Sequence, residues 1–540
     1  MTSKISGLHE AAFWLALFSI LSQILAFVRD RLLAFHFGAG RELDLYYASF
    51  EVPDLIFATA ASLVSASILV PFFAKKENES AESLKKYINS VFTSFFLLIL
   101  VCSVLAWVFM PTLVPLFFKS LGPEALERVV AFSRILLLSP LFLGLSNFFG
   151  SIVQHEKRFA LYSLSPIVYN LGIILGTFFG AKNFGVMAVI FGVCFGAFMH
   201  MVIQGIWVYR SGNYPKFVKD LDFKEIKNTF FLSVPRTISL SASSLVGLFL
   251  VAIASKFPTG SIAVFSFSFN LQSVPLVIIG ASYSLAAFPT LAGHYVKKEL
   301  LEIGHCLSSG LRYIIFWSLP ITALFIVLRA HIVRVILGSG AFDWSDTRMT
   351  AAALALFVIS AAFQSIQLFL TRAHYAFGRT RLPLLVNLGN AVLTVSAAML
   401  LAKYFSPDGA FFSVVAEVLK VEGLSRVSVL SLPIAFSVGA VVSAVLLWSF
   451  LEKEIRESTL SSLYVAFRDS FLAAIGTGTA SALALRIFDG VFSLDSLVGV
   501  FLHGFISGIS GIMAGSLILW LLKNKEMREI SVKIRQTLKI

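Results

Sequence analysis

Long apolar runs recur along the whole chain, and short polar segments separate them. Each run has eighteen residues or more, the length a helix needs to cross the hydrocarbon core of a bilayer. Fourteen such runs fall near 12–35, 46–73, 88–110, 129–152, 159–180, 184–208, 229–254, 262–291, 308–328, 350–372, 382–403, 429–450, 467–486 and 496–522. None shows the alternation over roughly ten residues that marks an outer-membrane β-strand. The pattern predicts an all-α integral membrane protein with about 14 transmembrane helices. The first run reaches Arg29-Asp30-Arg31 with only Lys4 ahead of it and no small-residue cleavage site, so it reads as a retained helix rather than a signal peptide.

The polar segments set an orientation. An even number of spans puts both termini on one side. With the N-terminus inside, the inside segments hold Lys75, Lys76, Lys85, Lys86, Lys157, Arg158, Lys297, Lys298, Arg379, Arg381, Lys453 and Arg456, among others. About two dozen Lys and Arg fall inside against about ten outside, the bias expected when the basic side is cytoplasmic. Outside segments such as 340–346 and 489–495 are acidic or neutral. The tail 523–540 is basic with spaced apolar residues. It reads equally as a helix on the anionic inner leaflet or as a solvated tail. Residues 410–419 read as a short interfacial helix within a longer outside segment.

A second regularity runs beneath the spans. Pro71 closes the second span before Lys75-Lys76, and Pro289 closes the eighth before Lys297-Lys298, an offset of 289 − 71 = 218. The turn from His155 to Pro166, with Asn170 beyond it, matches the turn from His374 to Pro383, with Asn387 beyond it, at 383 − 166 = 217. Pro53 and Pro275 are offset by 222. Such an offset covers six helices, so the copies share orientation. It predicts two parallel six-helix lobes related by a pseudo-two-fold axis along the membrane normal, 1–225 and 226–452, followed by two helices and a tail, 453–540. The repeated prolines read as kinks or helix starts.

Composition narrows the function classes. Of 540 residues 57% are hydrophobic and 14% charged, well below the roughly 25% charged of soluble domains. The net charge of +13 is accounted for by the loops, and no soluble domain is large enough to bind nucleic acid. The 3 cysteines, Cys102, Cys194 and Cys306, have neither metal nor disulfide spacing. No carboxylate cluster, nucleophile–base set or Gly-rich phosphate loop supports an enzyme. No cofactor or metal is expected.

Particular stretches are more specific. Phe27-Val-Arg29-Asp30, then 37–44 (FGAGRELD), then Val52-Pro53 resemble the start of the MurJ (MviN) lipid II flippases. So do 338–346 (GSGAFDWSD), 372–378 (RAHYAFG) and Phe288-Pro289-Thr-Leu291, within the wider multidrug/oligosaccharidyl-lipid/polysaccharide exporter superfamily. The resemblance covers roughly residues 10–520. It implies a flippase that moves undecaprenyl-diphosphate-linked peptidoglycan precursor to the outer leaflet of the bacterial cytoplasmic membrane by alternating access. The partners it implies are that lipid-linked glycan, membrane lipids and other cell-wall synthesis proteins. The chain departs from the family at several arginine positions, where Gln23, Phe57-Ala58, Ser62-Leu63 and Asn270 stand. The span-seven aspartate used by some members for sodium is also absent. A less cationic cavity is therefore expected. A flippase for another polyprenyl-diphosphate glycan and a cation-coupled exporter stand as alternatives.

Charged groups inside spans are costly and usually face a cavity or a partner. Arg29 is the first candidate for the diphosphate, since a guanidinium grips phosphate oxygens as a fork. Asp30 is expected beside it, and an internal ion pair that only orients the helix is the bland reading. Arg236, read as a cavity cation or as a snorkelling residue, and Asn270, read as a ligand contact or as glue between helices, complete the candidate substrate-binding set. Asp44 is either a helix cap or part of an outer gate. Glu51 and Asp54 flank Pro53 and read as cavity-lining or as part of a kink. Arg134 and Arg372 read as cavity residues or as snorkelling ones. Gln272 and Asn390 read as ligand contacts or as glue between helices.

Overall fold

The computed structural model describes residues 8–405, 409–455 and 460–538; the side chains of 8–16, 67, 236, 453–455, 460–462 and 533–538 lie outside it. No strand occurs among the described residues. Thirteen helical stretches there are long and apolar enough to cross a membrane. They match the second to fourteenth expected spans, and α1 (Leu8–Phe37) takes the place of the first. The inside charges Lys453 and Arg456, and Lys533, Arg535 and Lys539 of the basic tail, fall outside the described side chains.

The chain packs as two compact units. The first comprises Met1–Ala263 with the short segment Ser339–Phe342. It holds α1, α2 (Arg41–Leu63), α3 (Ala66–Glu79), α4 (Ala81–Phe118), α5 (Pro123–Leu136), α6 (Leu138–His155), α7 (Phe159–Phe184), α8 (Val186–Arg210) and α9 (Phe223–Ala254). Thus α9, the seventh span, packs with the first six, although the sequence repeat begins a new copy there. The core is built from Phe73, Phe92, Phe148, Ile152 and Val208. Against each other, α7 and α8 run backbone to backbone. A Cβ on Gly172 would sit 2.4 Å from the Gly196 Cα, and one on Gly176 would sit 2.7 Å from the Gly192 Cα. Small residues allow this approach where lipid gives no hydrophobic drive between helices.

The second span is broken, though not at its prolines. Pro53 and Pro71 lie inside unbroken α2 and α3, and the chain opens at Val64–Ser65. Two carbonyls freed there are taken up by neighbours. Ser151 on α6 donates to Val64 O at 3.0 Å, and Ser233 on α9 donates to Leu63 O at 3.4 Å. A helix can break at membrane depth when hydroxyls re-satisfy its backbone in this way. Ser339–Phe342 is held by Ala341 N donating to Phe35 O at 2.9 Å, with Gly340 pressed on Phe35 at a left-handed φ of 62°.

The second unit comprises Val264–Gly338 and Asp343–Ile540. Here α10 (Ser261–Pro275) passes through a π-helical turn, Leu276–Ala281, into α11 (Ser282–Val296). The helices α12 (Leu300–Ile336), α13 (Trp344–Ala376), α14 (Arg381–Tyr404) and α16 (Ser431–Ile455) pack around Leu307, Ile314, Phe369, Leu370 and Leu447. A short helix, α15 (Ala410–Leu419), lies where the interfacial one was expected. The last spans, α17 (Leu460–Ile487) and α18 (Leu497–Leu521), pack on α12. His503 Nε2 donates to Leu485 O at 3.0 Å, so its Nδ1 accepts from His331 Nε2 at 3.2 Å. The last described helix is α19 (Lys525–Leu538).

Caps and turns explain where the helices start and stop. Ser80, Asp222, Asp343 and Ser496 each accept the amide three residues on. The two turns matched by the sequence repeat close alike. Arg158 N reaches Val153 O and Arg379 N reaches His374 O, around left-handed Lys157 (φ 60°) and Gly378 (φ 69°).

Candidate functional site

The first unit gathers polar side chains from α1, α2 and α7. Arg29 is held on two sides. Its Nε and Nη2 contact Asp30 Oδ1 at 2.9 and 2.8 Å, and its Nη1 donates to Asn170 Oδ1 at 3.2 Å. Asn170 in turn donates to Pro166 O at 3.1 Å and to Ser22 Oγ at 3.4 Å. The Asp30 carboxylate is buried, while the Arg29 side chain keeps 21% of its surface. Tyr46 and Tyr47 lie within electrostatic reach of Arg29 and Asp30, and Tyr169 within reach of Arg29 and Asp54.

Glu51 and Asp54 share this neighbourhood and feel each other's charge. Neither has a hydrogen bond or cationic partner among the described residues. Asp54 is exposed and Glu51 half-buried. A Cβ on Gly247 of α9 would come 3.9 Å from Glu51 Oε2. Below them a seam of hydroxyls joins α9 to its neighbours. Ser241 meets Thr59 at 2.9 Å, Thr237 meets Ser62 at 2.7 Å, Ser233 reaches Leu63 O, and Thr229 meets Tyr87 at 2.7 Å. Their spacing of four residues places them on one face of α9.

Asp44 is a cap, but not of its own helix. Its carboxylate accepts from Gly260 N at 2.5 Å and Ala263 N at 2.9 Å, closing the first turn of α10. It lies within α2, too far along to cap that helix, whose N-cap is Gly40. Arg134 is drawn to α4. Its Nε donates to Trp107 O at 3.0 Å and its guanidinium lies over the Trp107 ring at 4.5 Å. The backbone of Arg236 lies on α9, and its side chain is outside the described residues.

In the second unit, Gln272 is buried and accepts from Gln364 Nε2 at 3.1 Å, which also reaches Ser360 Oγ at 2.9 Å. Asn270 sits half-buried two residues before Gln272, on another face of α10. Asn390 Oδ1 accepts from Thr394 at 3.2 Å, and a Cβ on Gly439 of α16 would lie 2.4 Å from it, so Asn390 packs between α14 and α16. Arg372 is half-buried on α13. Asn387, the repeat counterpart of Asn170, accepts from Gln367 at 3.3 Å.

The structure thus brings together Arg29, Asp30, Glu51 and Asp54, and it holds Asp44 and Arg134 at other contacts. Sequence reasoning missed Tyr46, Tyr47, Tyr169, Gln364 and the hydroxyl face of α9. Only the last carried a signal, the Thr229-Ser233-Thr237-Ser241 spacing.

Comparisons with known proteins agree with this fold. A family model described as "Lipid II flippase MurJ" matches residues 33–502. A "Probable lipid II flippase MurJ" of Rickettsia prowazekii is 25% identical over 399 residues, covering 73% of this chain and 78% of the relative. A "Lipid II flippase MurJ" of Burkholderia cenocepacia is 22% identical over 400 residues, covering 72% and 77%. Among solved structures, a "Lipid II flippase MurJ, inward closed conformation" superposes with a TM-score of 0.74 at 19% identity, covering 94% of this chain and 100% of that one. An inward-facing multidrug resistance MATE family transporter of the MOP superfamily superposes with a TM-score of 0.64 at 16% identity, covering 80% and 94%.

Proposed function

Because the chain belongs to the lipid II flippase MurJ family, we infer that it is a membrane transporter rather than an enzyme, and that it carries lipid II from the inner to the outer leaflet of the bacterial cytoplasmic membrane. Its activity serves peptidoglycan synthesis. Flipping proceeds by alternating access, in which a site loaded from one leaflet is next exposed to the other. We place both termini in the cytoplasm on the strength of the loop charge. Other cell-wall synthesis proteins are the partner class this role implies.

One observation supports Arg29 as the phosphate-gripping residue. It is an arginine within an apolar span, fixed by Asp30 and Asn170 yet a fifth exposed. Fixing the guanidinium beforehand lowers the ordering cost of binding, and its remaining N–H donors suit diphosphate oxygens. Asp30 is then a positioning residue. Glu51 and Asp54, carboxylates in a span with no cationic partner among the described residues, line the substrate's path. Arg236 is assigned to the same path; in the second unit Asn270 and Arg372 are assigned to substrate contact, and Gln272 and Asn390 to the walls around them. Asp44 and Arg134 act there only through the helices they hold. The repeat units 1–225 and 226–452 are the two lobes of the transport cycle, with 453–540 appended.

The test is complementation in bacteria depleted of their own lipid II flippase, with outer-leaflet lipid II scored by a leaflet-selective probe. Wild type should restore flipping, and Arg29→Ala should lower it at least tenfold at equal expression. Restored flipping that survives Arg29→Ala would move the phosphate site elsewhere. No restoration by verified, inserted protein would turn the reading towards another polyprenyl-diphosphate glycan.

A further inference from the structure

The last helix sorts its charges by direction. On α19, Glu526 lies 2.7 Å from Arg312 Nε, and Glu529 accepts from the Tyr313 hydroxyl at 2.5 Å; both partners are on α12. Just before it, Asn524 donates to Asp469 of α17 at 3.2 Å. Met527 and Ile530 pack on Phe316, Ala473 and Leu519. Asn524 and Glu526 are therefore buried against the protein, and Glu529, still partly exposed, is tied to Tyr313. Lys523, Lys525 and Arg528 are exposed. Among the described residues, Lys525 alone of the three comes near an acidic group, Glu529, at 4.0 Å.

The helix also has a fixed height. Lys523 takes a left-handed φ of 54°, and Asn524 N bonds to Leu519 O at 3.0 Å, so only three residues separate the end of α18 from the start of α19. Trp520, at the last turn of that span, is 66% exposed. An exposed tryptophan beside lysines marks the edge of the hydrocarbon. The basic face of α19 is thereby held at headgroup level rather than free in the cytoplasm.

We propose that the surface formed by Lys523 in the turn and by Lys525 and Arg528 at the start of α19 is a docking surface for anionic lipid headgroups of the leaflet where α18 ends. Charge complementarity chooses the occupant. Glu526 is buried against Arg312 and Glu529 is engaged by Tyr313, which leaves three exposed cations to one partly exposed carboxylate, and each outward lysine or arginine adds attraction to a negative surface. The proposal is independent of the substrate reading, since binding is read without flipping.

The test uses the full-length chain in a neutral detergent, titrated with phosphatidylglycerol or phosphatidylcholine of matched acyl chains. Bound lipids are counted by native mass spectrometry. Wild type should hold phosphatidylglycerol severalfold over phosphatidylcholine. K523Q/K525Q/R528Q should bring the two to parity at an unchanged melting temperature. If that variant melts early because Lys523 sits in the turn, K525Q/R528Q leaves the turn intact and should still lower phosphatidylglycerol binding severalfold. Undiminished phosphatidylglycerol binding in a folded variant would overturn the proposal. So would a wild type with no preference, which would leave the basic face to an acidic protein surface.

Discussion

A charged pair inside a span is legible in sequence because charge is rare there: in the run 12–35 only Arg31 accompanies Arg29 and Asp30. Arg29-Asp30 was expected for that reason, and the structure joins the two side chains. The third member, Asn170, was noted only as a landmark of the repeat. Its contact with Arg29 spans 141 residues and depends on how α1 packs on α7, which no local pattern encodes. Arg29→Lys keeps the charge and loses the fork; lipid II flipping in depleted cells should fall at least tenfold with normal expression. Asp30→Asn keeps the shape and strands the guanidinium. It should destabilise by about 2–3 kcal/mol, under the usual range for breaking a buried pair because Arg29 is partly exposed. A thermal melt in detergent reads this as a lowered Tm. Lys298 tests the opposite sign. It holds a left-handed φ of 60° at the end of α11, a conformation that costs a non-glycine residue roughly 1 kcal/mol. Lys298→Gly should raise the Tm.

Elements were read well by length, and Pro383 and Pro275 mark a helix start and the entry to the π-helical turn. Apolar runs of helix length located the spans because burying a backbone in lipid leaves few other solutions. The second span nevertheless opens at Val64–Ser65, where there is no proline, and closes its hydrogen bonds through Ser151 and Ser233. Whether a helix breaks depends on what its neighbours offer the freed carbonyls, and that belongs to packing. S151A/S233A should leave both carbonyls unsatisfied, at about 1–2 kcal/mol each. Amide exchange across residues 62–68 should quicken while the rest of α2 stays protected; unchanged exchange would mean the serines do not hold the break.

At the scale of the molecule, chain order and packing diverge. The repeat offsets were visible because two copies keep their turn chemistry, as Lys157 and Gly378 show. That α9 packs with the six helices before it was not visible, since a repeat describes descent along the chain and not which surfaces meet. The attachment of the last helices to α12 was equally hidden, and it can be probed as a cycle. The Arg312–Glu526 contact is 2.7 Å long but poorly aligned as a hydrogen bond, with Glu526 3% exposed. R312Q and E526Q each leave a buried charge alone and should lower the Tm. R312Q/E526Q should lower it less than the sum of the two, by a coupling of about 1–3 kcal/mol.

The small segment Ser339–Phe342, bound to Phe35 within the first unit, has a bearing on how the protein is made. The first unit's main stretch is synthesised once Ala263 has left the ribosome, yet its last piece arrives 342 − 263 = 79 residues later. At about 5–20 residues per second that interval is roughly 4–16 s. During it, the first unit waits in the bilayer unfinished, with the Phe35 carbonyl lacking its amide partner, while the next two spans are threaded. Insertion of the eighth and ninth spans is thus a step in the folding of the first unit, and a ribosome stalled between them would strand it incomplete.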